Sequence, residues 1–303
     1  MNKEIKNFLY DKNIIIKKIT IKGSVFIITD VDNNMYVIKK INSDIDKIYD
    51  YLSSRSFLYY PKLLYKTDNY YIFEYVKDVD MSFEERASDI VKLTSLLHSK
   101  STFYKDIDDD YYKEIYEDIN NRLDYLFNYY EDVVSIIESE EFMSPSNYLF
   151  VRNVTKLFQS IMFAKDNINK WYDIIDEKKR VRVCNIHNNL DISHYIAGMH
   201  PVLISWDKSK KDIPIYDLVK FYKKYYDKLD FCDLLNIYDK NYPLLYEEKL
   251  LFVSLISIPD KVIFNDNEYE MCNIIKKFYN YILDTDKFIY DLMPQKETNI
   301  TKK

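Results

Sequence analysis

Side chains able to do chemistry crowd into one stretch, Val183–Leu218 (VCNIHNNLDISHYIAGMHPVLISWDKSKKDIPIYDL). Asp191 stands two residues beyond Asn189, and Asp207 two residues beyond Ser205. If 202–206 form a strand, Ser205 and Asp207 share a face about 6–7 Å apart. A loop shifted to suit can then present Asp191 and Asp207 together to a hard cation, which seeks carboxylate oxygens. His194 and His200 are six apart, but without a Cys or a third nearby His they do not read as a zinc pair. No Ser/His/Asp or Cys/His nucleophile set is recognisable from spacing.

Composition narrows the classes. The 303 residues suit one large domain or two lobes, and 47% apolar with 30% charged residues supports a sizeable core. The net charge of −6 argues against nucleic-acid binding, which runs on a basic patch. Gly occurs only 2 times where roughly 7% usage would give about 21, so a GxGxxG or Walker loop is excluded. The N-terminus is charged in its first turn and lacks a signal-length apolar run, and no stretch reaches membrane-spanning length. A cytoplasmic protein is expected. Cys184, Cys232 and Cys272 lack metal or disulfide spacing and read as buried free thiols.

The elements that must position these residues follow from period and punctuation. Strands are predicted at 14–22, 25–30, 35–41, 63–66 and 70–76, with Gly23-Ser24 and Asp32-Asn33-Asn34 as turns. Ile45, Ile48 and Leu52 mark a helix over 43–54. After Val76 the period becomes helical. Ser82-Phe83-Glu84-Glu85 reads as a capping box, and long helices are predicted at 108–138 and at 145–176, opened by Ser144-Pro145. Short strands are expected at 183–187, 194–197 and 202–206, and helices from 215 to 292. The acidic run 106–110 and the tail 295–303 read as solvated surface, His98 as a helix-end packing residue and Trp206 as core. The pairs Tyr70-Tyr71, Tyr111-Tyr112, Tyr129-Tyr130 and Tyr225-Tyr226 read as ordinary packing. The plan is a β-rich lobe over 1–76 and a helical lobe over 77–303, with a ligand cleft between.

The 183–218 stretch resembles the catalytic core of aminoglycoside phosphotransferases and choline kinases, where HGDLHPGNIL is followed by LIDWD and a YDL that opens a helix. His187–Ile196, Val202–Asp207 and Pro214–Leu218 lie on the three blocks without gaps. Tyr36-Val37-Ile38-Lys39 resembles the third-strand lysine motif, Phe73-Glu74-Tyr75-Val76 the hinge, and Leu96-Leu97-His98 the helix end before the long insert. Gly23 falls in the nucleotide-covering turn. The resemblance spans about 14–225 and implies an α+β, bilobal protein-kinase-like fold that takes ATP, with Lys39, Gly23, Glu74 and Val76 around the nucleotide. Within this superfamily the N-lobe is most similar to CotS-type spore-coat proteins, which implies a coat or assembly partner and a spore-coat location.

Phosphoryl transfer needs a carboxylate for the acceptor, Mg²⁺ ligands and cations on the phosphates. The resemblance places Asn189 at the catalytic Asp, His194 at the Mg²⁺-binding Asn and Ser205 at the main Mg²⁺ Asp. An amide takes no proton, imidazole suits softer metals, and a hydroxyl brings no net charge. Meanwhile His187 and Asp217, which brace the catalytic loop in the family, are kept. This combination reads as a pseudokinase that binds nucleotide or a protein partner and suits Mg²⁺ poorly. Two alternatives stand beside it. One is an active ATP-dependent small-molecule phosphotransferase in which Asp191 or Asp207 replaces the lost carboxylates. The other is a structural module with an empty cleft. The family's Glu partner for Lys39 is absent from 43–54, so Asp46 or Asp50 is expected to pair with it.

Overall fold

The computed structural model describes residues 3–293, so the 295–303 tail lies outside the described residues. The chain divides into two compact units: the part up to Ser101 with Asn185–Lys211, and Thr102–Cys184 with the part from Asp212 onward.

In the first unit, strands β1 (Ile16–Lys22), β2 (Val25–Asp30), β3 (Met35–Lys40), β4 (Leu63–Lys66) and β5 (Tyr70–Glu74) form an antiparallel sheet ordered β1-β2-β3-β5-β4. β-branched runs separated by Gly23-Ser24 and Asp32–Asn34 dictate the first hairpins. Gly23 sits at φ +58 in the first place of its two-residue turn, where a hairpin needs a left-handed residue. Side chains alternate across the sheet. Ile28, Ile38 and Ile72 point to one face and pack beneath Ile5 and Leu9 of helix α1 (Lys3–Asp11). This helix is absent from the sequence reading. Nine residues are too few for an isolated helix to hold, so α1 depends on covering that isoleucine face. Val25, Ile27, Val37, Lys39 and Phe73 point the other way and line a cavity.

Helix α2 (Ile45–Ser54) buries Ile45, Tyr49 and Leu52. Helix α3 (Phe83–Ser101) starts where Ser82 Oγ accepts from the Glu85 N–H at 3.1 Å, half of the expected capping box. His98 on it is fully buried, as a packing residue should be.

In the second unit, β6 (Phe103–Asp106) pairs antiparallel with β7 (Arg180–Ile186) between Phe103 and Val183. Helices α4 (Asp109–Glu138) and α5 (Pro145–Asp176) pack together. Ser144 caps α5 by accepting from the Asn147 N–H at 3.3 Å, and Pro145 takes the first turn. Helices α6 (Ile215–Tyr225), α7 (Phe231–Asp239), α8 (Tyr246–Ser257) and α9 (Glu268–Leu292) complete the unit. Each of the four tyrosine pairs buries one ring, namely Tyr71, Tyr112, Tyr130 and Tyr225.

Three expectations are corrected, and one element is added. Phe103–Asp106 form a strand that the sequence did not announce, and the acidic run is exposed as expected at Asp106, Asp108 and Asp110, with Asp106 paired to Arg180 at 2.6 Å and Asp108 capping α4. Of the three thiols only Cys184 is buried, while Cys232 on α7 and Cys272 on α9 are half-buried. The 202–206 strand stops at Leu203, in β9 (Val202–Leu203), which pairs with β8 (Tyr195–Ile196). Ser205 turns left-handed at φ +68, and Trp206–Lys208 coil into a 3-10 turn, so Ser205 and Asp207 share no strand face. No described helix is long and apolar enough to cross a membrane.

Candidate functional site

The cavity on the inner face of the first unit's sheet has a volume of about 740 Å³. Its walls come from Lys22–Val25, the inner face of β2, β3 and β5, the 74–78 segment, and Ile192–Ile196 with Ile204–Trp206. Most of the lining is apolar, and polar groups converge at two ends.

At one end stands Lys39. Its place in β3, opposite Val25 on one side and Tyr71 on the other, turns it inward. Lys39 Nζ forms an ion pair with Asp207 Oδ2, and both side chains are under one-fifth exposed (17% and 19%). Asp207 Oδ1 is buried and has no hydrogen-bond partner. Asp207 reaches this place because its 3-10 turn is stitched down. Trp206 is fully buried, donates from Nε1 to Leu203 O at 2.6 Å, and lies edge-on to Phe57 and His187. His187, also buried, donates from Nε2 to Ile204 O at 2.9 Å. Neither expected partner, Asp46 nor Asp50, pairs with Lys39: Asp46 pairs with Lys66, and the partner of Lys39 comes from a turn far along the chain.

The left-handed Ser205 sits between these anchors. A non-glycine residue there costs about 1–2 kcal/mol, and no hydrogen bond holds the Ser205 side chain as a cap. We expect Ser205→Gly to raise stability by about 0.5–1 kcal/mol, after the flexibility of glycine in the unfolded chain is offset. Urea unfolding checks this, and a loss of stability would show that the Ser205 hydroxyl carries an interaction of its own.

His194 lines the cavity beside Ser193 and Ser205. Its Nδ1 donates to Asn189 O at 2.8 Å. Asn189 itself is half-buried, reaches Ser205 O only at 3.5 Å through its amide, and does not line the cavity. Asp191 is occupied as a cap, its Oδ1 accepting from the Ser193 N–H at 2.8 Å and Oγ at 2.7 Å. It too is outside the lining. Asp217 is fully buried in the first turn of α6, in the second unit.

At the other end the last ladder bond runs from the Tyr75 N–H to Met35 O at 3.2 Å, after which the chain leaves the sheet along the cavity wall through Val76. Glu74 accepts from the Lys62 N–H at 3.2 Å. Gly23 stands on the opposite rim with open space where a Cβ would be. Here the structure adds residues that no motif announced. Arg86, 14% exposed, donates to both Asp78 oxygens at 3.3 and 3.2 Å and to Tyr195 O at 2.8 Å. Asp78 also accepts from the Ala197 N–H at 2.8 Å. Tyr49 forms part of the wall, and burial first, then Tyr60 and Asp207, holds its phenol far above the ordinary range and neutral. Asp78, Arg86 and Tyr49 are isolated residues in unremarkable contexts, so their shared location appears only on folding.

The residues suit a nucleotide. The cavity has the size of small-ligand sites and an apolar slot for a base. Lys39 supplies a cation for phosphates. A divalent ion finds fewer ligands: among the described residues no group of three His, Cys, Asp or Glu converges. Asp207 Oδ1 is one free carboxylate oxygen, which fits Mg²⁺ when nucleotide phosphates and water complete its shell.

No protein-family profile matches the sequence, and no curated protein does. Solved structures match in fold. The aminoglycoside phosphotransferase from Alicyclobacillus acidocaldarius subsp. acidocaldarius aligns over 92% of this chain and 92% of its own, with 10% identity and a TM-score of 0.69. A spectinomycin phosphotransferase, solved with ADP and spectinomycin, covers 95% of this chain and 98% of its own at 11% identity and a TM-score of 0.52. A macrolide 2′-phosphotransferase type I covers 95% and 94% at 10% identity and a TM-score of 0.50. The class is therefore an α+β protein-kinase-like fold, β-rich in its N-terminal part and helical in its C-terminal part. These three solved neighbours are antibiotic phosphotransferases.

Proposed function

We propose that the protein binds ATP in the first unit's cavity and transfers the terminal phosphoryl group to a hydroxyl acceptor, with Asp207 in place of the carboxylate that Ser205 lacks. The observation that carries this reading is the Lys39–Asp207 pair on the cavity, with one carboxylate oxygen buried and unpartnered. Buried polar atoms are nearly always satisfied, so an orphaned carboxylate oxygen marks the place of an absent donor or cation. Asp191, the other candidate, is committed to Ser193.

In this mechanism Lys39 neutralises phosphate charge, and Asp207 both orients Lys39 and offers Oδ1 to Mg²⁺. Mg²⁺, when bound there, neutralises charge on the transferring group. The 74–76 backbone and the apolar slot seat the base, and the Gly23 turn covers the phosphates. Positioning and charge stabilisation carry most of such a reaction. The amide of Asn189 cannot serve as a base, and a general base is worth roughly 10²–10⁴ in rate.

A second reading is a pseudokinase that holds nucleotide without turnover. It is favoured by the absence of a carboxylate at Asn189, His194 and Ser205 together. A coat or assembly partner, which the CotS-type resemblance implies, belongs to this reading.

A thermal-melt titration with ATP, with and without Mg²⁺, tests both, alongside ADP release. Ligand at 100 times its Kd adds about 2.7 kcal/mol. We expect a Mg²⁺-dependent shift with slow ADP release. A metal-independent shift without release supports the second reading. No shift at millimolar ATP overturns both and leaves a structural module.

A further inference from the structure

The missing base has a replacement on the cavity wall. A carbonyl oxygen only accepts, so the 2.8 Å contact between His194 Nδ1 and Asn189 O requires the proton on Nδ1. In the neutral ring Nε2 then carries the lone pair, and among the described residues no protein hydrogen bond reaches Nε2. The ring is half-buried on the cavity wall, next to Ser193 and Ser205. Its backbone is pinned on both sides: its N–H donates to Asp191 O at 2.9 Å, and its carbonyl accepts from the Ile204 N–H at 2.9 Å. A base needs this arrangement, an orienting bond on one nitrogen and an open lone pair on the other.

We propose that His194 is the general base of the transfer, acting through Nε2 and oriented by the backbone of Asn189, whose side chain cannot do the work. This rests on the phosphotransferase reading. In the step, the acceptor hydroxyl oxygen forms a bond to the γ-phosphorus of the nucleoside triphosphate. The bond from that phosphorus to the β,γ-bridging oxygen breaks, and its electron pair leaves with the nucleoside diphosphate. The hydroxyl proton passes to Nε2, and the imidazolium later returns it to water.

The test uses the full chain with MgATP and water as the acceptor. Long-range ¹H–¹⁵N spectra of the free protein, labelled at its 4 histidines, should show the His194 ring protonated at Nδ1 and bare at Nε2. The His194 signals are assigned by their loss in His194→Gln. That variant should hydrolyse ATP roughly 10²–10⁴-fold more slowly at saturating ATP, a loss in kcat that excess nucleotide does not restore. Imidazole should restore hydrolysis to His194→Gly. A ring protonated at Nε2, wild-type hydrolysis by His194→Gln, or a folded His194→Gly that imidazole does not rescue would each overturn the proposal. A wild-type protein that binds ATP but hydrolyses none refutes the phosphotransferase reading itself, and the base assignment falls with it.

Discussion

The Asp207→Asn variant should bind ATP without any benefit from Mg²⁺, and its ADP release should fall at least 100-fold. The amide keeps the shape of the side chain and can still accept from Lys39, so the turn at Trp206–Lys208 should survive. What it loses is the charge that a hard cation requires. Lys39→Met should act differently. It removes a charge-assisted contact worth about 1.5–3 kcal/mol, so ATP affinity should drop roughly 10- to 150-fold with or without metal. It also strips Asp207 of the one cation that pairs with it among the described residues, which should lower the melting temperature of the free protein. Calorimetry with ATP, with and without Mg²⁺, separates the two patterns. If Asp207→Asn keeps its Mg²⁺ response, the metal is held elsewhere and the role given to Asp207 is wrong.

Arg182→Ala should destabilise the protein by about 3–5 kcal/mol. Arg182 and Glu248 are 11% and 6% exposed and form a bidentate pair in the second unit, with Nε to Oε1 at 2.9 Å and Nη2 to Oε2. Each partner makes further contacts. Arg182 donates to Pro243 O at 2.9 Å and lies 3.9 Å from the Tyr242 ring centroid, and Glu248 accepts from the Leu245 N–H at 2.9 Å at the start of α8. Removing the guanidinium strands a buried carboxylate, which is the costly case. Replacing both by methionine should cost far less, because no charge is left unpaired. Urea unfolding of the two single variants and the double one measures the coupling. Additive losses would show that the pair contributes nothing beyond packing.

These two sites were unequally legible. The lysine of β3, the hinge segment and the 183–218 stretch stand out in the chain, and the structure sets Lys39, Gly23, Glu74, Val76, His194 and Ser205 around one cavity. The partner of Lys39 did not stand out. Asp46 and Asp50 are near in sequence and are the natural expectation, yet Asp207, 168 residues away, holds that place. Arg182 and Glu248 are likewise ordinary charges until β7 and α8 enclose them.

The sequence by itself determined the elements whose causes are local. β-branched runs, turn residues and helix caps act over a few positions, so β2, β4 and α5 begin and end where their residues say. Tertiary structure decided what depends on neighbours distant in the chain. Helix α1 holds because an isoleucine face lies under it. Ser205 turns left-handed because Trp206, His187 and Ile204 are anchored on both sides of it. Asp207 meets Lys39 only as a result, since the energy that bends one short strand into a turn comes from burying the tryptophan beside it.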